Sequence, residues 1–199
     1  GGRQPRDLPR VETAAAQARS IRNVIGFRQE DRMLARILCL SLIALPAFAQ
    51  APASPAQGFD IHVMAPHVVE GVVMGPYHHY CKAVSDTILE CLIYESTEPK
   101  ALMVQVEYMI AKTVTRPNIR LDLWNKFYHD HLLEVNSGRV QVLDRTPEEA
   151  AKIAEAAKQT DGIIFHLWWP HDAKAPSGIV KHPQAVGHKN MTAAEYQPK

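Results

Sequence analysis

From Tyr77 to Lys112, short stretches of apolar, aromatic and β-branched residues alternate with polar turn segments, as strands and their links do. "HHYCKAV" (78–84) and "TILECLIYES" (87–96) are rich in aromatic and β-branched residues, and Ser85-Asp86 between them is turn chemistry, so the pair predicts a hairpin. "ALMVQVEYMIAK" (101–112) follows the Glu98-Pro99-Lys100 turn and predicts a third strand; three strands on short links imply an antiparallel meander. Upstream, "FDIHVMAPHVVEGVVMG" (59–75) is apolar but broken by Pro66, Gly71 and Gly75, which allows either a short helix or a strand.

The period then changes. After Pro117, residues Leu123, Trp124, Phe127, Tyr128, His131 and Leu132 recur at spacings of three and four, which gathers them on one face of a helix. Asn136-Ser137-Gly138 reads as a turn between two short strands, "LLEV" and "RVQVL". Thr146-Pro147-Glu148-Glu149 is a helix start: Thr146 caps, Pro147 opens the first turn, Glu149 closes a capping box, and Gly162 is expected to end the helix. "IIFHLWW" (163–169) predicts a buried strand, and the proline-rich remainder an irregular strap.

This order of elements predicts an α+β fold: a single domain with an antiparallel sheet and two or more packed helices. The front of the chain is expected to stand apart from it. "MLARILCLSLIALPAFA" (33–49) has a basic start, a short apolar run and an A-x-A end, the marks of a secretory signal peptide cleaved after Ala49. Residues 1–32 read as upstream sequence from a mis-assigned start, 50–58 as a flexible lead-in, and 59–199 as the domain. A signal of this kind implies a secreted or periplasmic protein.

Removing residues 1–49 changes the charge. The whole chain carries 22 Lys and Arg against 21 Asp and Glu; from Gln50 onward the balance is 14 against 17, about −3. That argues against nucleic acid, which selects clustered positive charge. Two cysteines remain, Cys81 and Cys91, and the first reading of them is a disulfide or two core thiols.

All ten histidines lie beyond residue 49, and they carry the candidate chemistry. If 77–81 is a strand, His79 and Cys81 share one face while His78 and Tyr80 share the other. His79 and Cys81 would form half of a metal site. "HDH" (129–131) supplies the other half if the helix ends near His129; on a continuing helix the two rings would diverge. His166, inside an apolar run, is a third donor or a core histidine, and Glu107 is its expected hydrogen-bond partner. The expected partner is a transition metal or a small ligand held by this histidine cluster: the candidate metal ligands are His79, His129, His131 and His166, with Cys81 and Glu107 beside them, and mixed imidazole and sulfur donors suit zinc or copper. There is no G-x-S-x-G, phosphate-cradling glycine loop, C-x-x-C or H-E-x-x-H, so no catalytic class is indicated. The rival reading is a lipid-surface or protein-interaction module in which the histidines are structural.

"HHYCK" (78–82), "ECLIYES" (90–96), "VEYMI" (106–110), "HDHLLEVNSG" (129–138) and "FHLWW" (165–169) stand in an order that resembles the plant oil-body-associated proteins and their bacterial relatives, a domain of unknown function. The resemblance runs from Ile61 to His188. It implies association with oil bodies for the plant members and no defined activity. The matching positions are His78, His79, Cys81, Glu107, His129, His131 and His166.

Overall fold

A computed structural model of the protein describes residues 54–197. The expected signal segment (33–49) and the residues before it lie outside that range. Strand β1 (Ile61–Val69) turns into β2 (Val72–Ala83) through Glu70 and Gly71, both at positive φ (50° and 82°). This is the two-residue geometry that matches strand twist. The segment read as helix or strand is thus a long hairpin. Its breakers have places in that hairpin: between Ala65 and His67 the register slips by one residue on β2, where Gly75 (φ 93°) and Pro76 form a bulge opposite Pro66.

β3 (Ile88–Tyr94) and β4 (Met103–Ala111) complete the expected meander. Next come helices α1 (Lys112–Asn118) and α2 (Leu121–Phe127), the three-residue strand β5 (Tyr128–Asp130) and helix α3 (His131–Asn136). The single helix expected over 123–132 is therefore interrupted. "LLEV" is helical rather than a strand, because Asp130 caps α3 by accepting from the Leu132 N–H. Strand β6 (Gln141–Leu143) pairs with β1 instead of closing a hairpin with its neighbour. Helix α4 (Pro147–Ala157) has the predicted capping box at Thr146 and Glu149. It stops well before Gly162, which lies inside strand β7 (Thr160–His166). The tail adds a two-residue strand, β8 (Gln184–Ala185), on β1.

All pairings are antiparallel, in the order β5-β7-β4-β3-β2-β1-β6, with β8 also on β1. The protein is α+β in the coarse sense; sheet dominates and the helices are short. β5 and β6 lie at opposite edges, yet only 10 residues (131–140) join them. The 11 steps from Asp130 to Gln141, six helical and five extended, reach about 26 Å, whereas six strand spacings across a flat sheet need about 29 Å. The sheet is accordingly curled, so that β8 on one edge lies against β5 on the other. Helices α3 and α4 pack on its concave face, opposite Ile61, Val63, Cys81, Leu89 and Met109.

Candidate metal centre

Register brings the polar residues of the concave face together. His79, Ile93, Gln105 and His166 form one row across β2, β3, β4 and β7; Cys81, Cys91, Glu107 and Ile164 form the next. His79 and Cys81 share the inner face, while His78 and Tyr80 take the outer face, where His78 contacts His62 at 2.9 Å. Cys81 bonds its direct cross-strand neighbour Cys91, so its sulfur leaves the set of metal donors.

The segment 128–130 is extended, and α3 starts only at His131, because Asp130 is anchored on its far side. Its carboxylate meets Lys112 Nζ at 2.5 Å and Arg116 Nη2 at 3.1 Å, and the same guanidinium holds Asp161 at 2.8 Å. With Asp130 turned away, His129 and His131 both face inward. His129 Nε2, His131 Nε2 and Glu107 Oε1 then lie 3.1–3.2 Å from one another, all three residues buried. Gly162 forms the floor: a Cβ there would lie 2.5 Å from His129 Cε1 and closer still to His129 Nε2 and Glu107 Oε1.

Hydrogen bonds orient the rings. Thr160 Oγ1 gives its proton to the Ala157 carbonyl (2.7 Å), so it accepts from His131 Nδ1 (2.8 Å) and leaves His131 Nε2 toward Glu107. A second chain starts at the Trp168 carbonyl, which accepts from His166 Nε2 (2.7 Å). His166 Nδ1 accepts from the Gln105 amide (2.8 Å), Gln105 Oε1 accepts from His67 Nδ1 (2.6 Å), and His67 Nε2 meets His79 Nε2 at 3.0 Å. His166 is therefore a relay in this chain and not a ligand, and its partner is Gln105 rather than Glu107. His79 Nε2 stands 3.9 Å from Glu107 Oε2, at the border of the cluster. His129 Nδ1 is buried without a hydrogen-bond partner among the described residues.

Electrostatics follow from burial without a fixed cation. Among the described residues, the ion pairs of Glu107 are with His79, His129 and His131 only. Burial alone would raise its pKa, but hydrogen bonds from His129 and His131 outweigh it and hold the carboxyl well below the usual range. Burial pulls His131 down, and the bond to Glu107 with the nearby Glu134 reverses this, leaving it raised. Burial lowers His79 despite Glu107 and Glu134, and it lowers His67, with His79 beside it, to about 3.

Sequence reasoning missed His67, Gln105, Glu134, Thr160 and Gly162. His67 was legible in principle, since Ile61, Val63, Ala65, His67 and Val69 keep one parity along β1. Gly162 carried a signal that pointed elsewhere, as a helix terminator.

A family profile described as "Protein of unknown function (DUF1264)" matches residues 53–195. Among similar curated proteins, oil body-associated protein 2C of Arabidopsis thaliana is 31% identical over 116 residues, 55% of this chain and 47% of the relative. Oil body-associated protein 1B of Arabidopsis thaliana is 28% identical over 93 residues, 46% of this chain and 37% of the relative. Oil body-associated protein 1A of Zea mays is 28% identical over the same length, 46% of this chain and 37% of the relative. The matched region is less than half the length of these relatives. No solved structure matches. The expected secreted or periplasmic location is corrected by these relatives, whose names place them with oil bodies.

Proposed function

The chain belongs to the DUF1264 family of proteins of unknown function, and from that premise we propose that it binds one divalent transition metal, zinc or copper, through Glu107, His129 and His131. One observation carries the reading: three buried donor atoms stand 3.1–3.2 Å apart, one of them from a carboxylate whose ionic partners among the described residues are all imidazoles. Tetrahedral zinc with bonds of about 2.0–2.1 Å has donor–donor edges of about 3.3 Å, so small adjustments would seat it. The His131–Thr160 bond is the outer-shell partner that a metal-bound imidazole normally has. Three protein ligands leave a fourth position for water or a ligand.

Metal content of protein purified without a histidine tag tests this. One equivalent of zinc or copper is expected, with loss in His131→Ala and Glu107→Gln. Absence of stoichiometric uptake by wild type, with both metals supplied, rules the reading out.

A second reading rests on the relatives' names: association with a lipid surface. Among the described residues no helix is long and apolar enough to cross a membrane, while Val72 and Val73 at the β1–β2 tip are 62% and 53% exposed. Flotation with artificial lipid droplets tests it; binding that survives His129→Ala and is lost in Val72→Ser/Val73→Ser would separate surface attachment from the metal centre.

A further inference from the structure

The face of the cluster away from Gly162 opens into a pocket between the curled sheet and α4. Helix α4 presents Ile153, Ala154 and Ala157 to the concave face, and these short side chains do not fill the space above Val63, Leu89 and Met109. About 70 Å³ stays open, several times the roughly 10–15 Å³ that one water requires. The polar end of this space is made by His79, Glu107, His131 and Glu134.

Glu134 is the unexplained member. Its side chain is 8% exposed, and its carboxylate accepts no hydrogen bond among the described residues; its ionic contact is His131 Nε2 at 3.8 Å. A buried carboxylate without a donor is costly unless something supplies one. The neighbouring walls are mostly apolar, so a donor to this carboxylate comes from whatever fills the pocket, water or a ligand that displaces it.

Charge selects the occupant. A divalent cation with Glu107 and Glu134 sums to zero, so an anionic head would leave the buried site at −1, whereas a neutral hydroxyl preserves neutrality. A hydroxyl also satisfies both polar neighbours, with its oxygen lone pair on the cation and its proton toward Glu134. We propose that this pocket binds a small aliphatic primary alcohol, its chain against α4 and its hydroxyl between the metal position and Glu134. The inference rests on the metal reading above and adds the ligand class.

The test uses zinc-loaded full chain, with hexan-1-ol and hexanoate as matched probes, titrated by calorimetry while zinc is counted by mass spectrometry. Hexan-1-ol is expected to bind at least 10-fold tighter than hexanoate, and about 4-fold tighter per added methylene from butan-1-ol upward. Glu134→Gln removes one negative charge and should narrow or invert the alcohol preference by at least 10-fold. Ala154→Phe should abolish alcohol binding with zinc content unchanged. A chain that takes up no zinc overturns both proposals. A chain that takes up zinc but prefers hexanoate, binds no alcohol, or keeps its preference in Glu134→Gln overturns this one alone.

Discussion

Replacing Gly162 by alanine adds one methyl group at the floor of the centre. Gly162 has no left-handed backbone angle, so space, not conformational freedom, is what the glycine provides. The new Cβ would lie 2.5 Å from His129 Cε1, and ordinary contact begins at 3.4 Å, so ring and methyl must separate by at least 0.9 Å. His129 and Glu107 are both buried, and overpacking of this kind costs about 1–3 kcal/mol of folding stability. The effect on metal should be larger, because donor positions tolerate shifts of only about 0.2 Å. Gly162→Ala should therefore weaken zinc binding at least 100-fold, read by competition with a chelator, and lower metal-free stability in urea by about 1–3 kcal/mol. Zinc affinity within 3-fold of wild type would refute the convergence of His129 and Glu107 on this floor.

Three further outcomes follow from the same geometry. In metal-free protein His67 faces His79, Gln105 and the Glu107 charge, and its pKa is lowered to about 3; it stays neutral in the fold while the unfolded chain takes up a proton below about 6.5. Stability should thus fall as pH drops from about 6.5 toward 3, and His67→Gln should flatten that slope by about 1.4 kcal/mol per pH unit in denaturation curves; an unchanged slope contradicts the assignment. Removing the Cys81–Cys91 bridge, which spans 10 residues, with Cys81→Ala/Cys91→Ala should cost about 2–3 kcal/mol yet leave metal content unaltered, and metal loss there would return Cys81 to the donor set. Thr146→Ala removes the Oγ1 half of the capping box, leaving the backbone N–H of residue 146 to Glu149, and should cost about 1 kcal/mol in thermal or urea unfolding, with no effect on metal.

The meander was legible because its strands carry aromatic and β-branched residues between ordinary turns, and Thr146 because capping is local chemistry. The Asp130 anchor was not legible, since Lys112 and Arg116 reach it only after α1 folds back, and that anchor is what breaks the helical period at Phe127. The proposed donors Glu107, His129 and His131 could be nominated from residue type and strand parity. Their convergence depends on β7 pairing with both β4 and β5, a long-range choice that no local pattern encodes. Cys81 was misplaced among donors for the same reason: only register sets Cys91 opposite it. Gly162 shows the remaining limit, because a glycine that makes room is indistinguishable in sequence from one that ends a helix.

The 10-residue link from β5 to β6 behaves mechanically as a drawstring. It is too short for a flat sheet, so its length sets the radius of curvature, and that radius fixes how far α3 and its His131 stand from Glu107 on β4. The exposed turn at Ser137 and Gly138 looks like an ordinary place for insertions. Slack added there would act at a distance, loosening the hoop that holds the two halves of the centre in register.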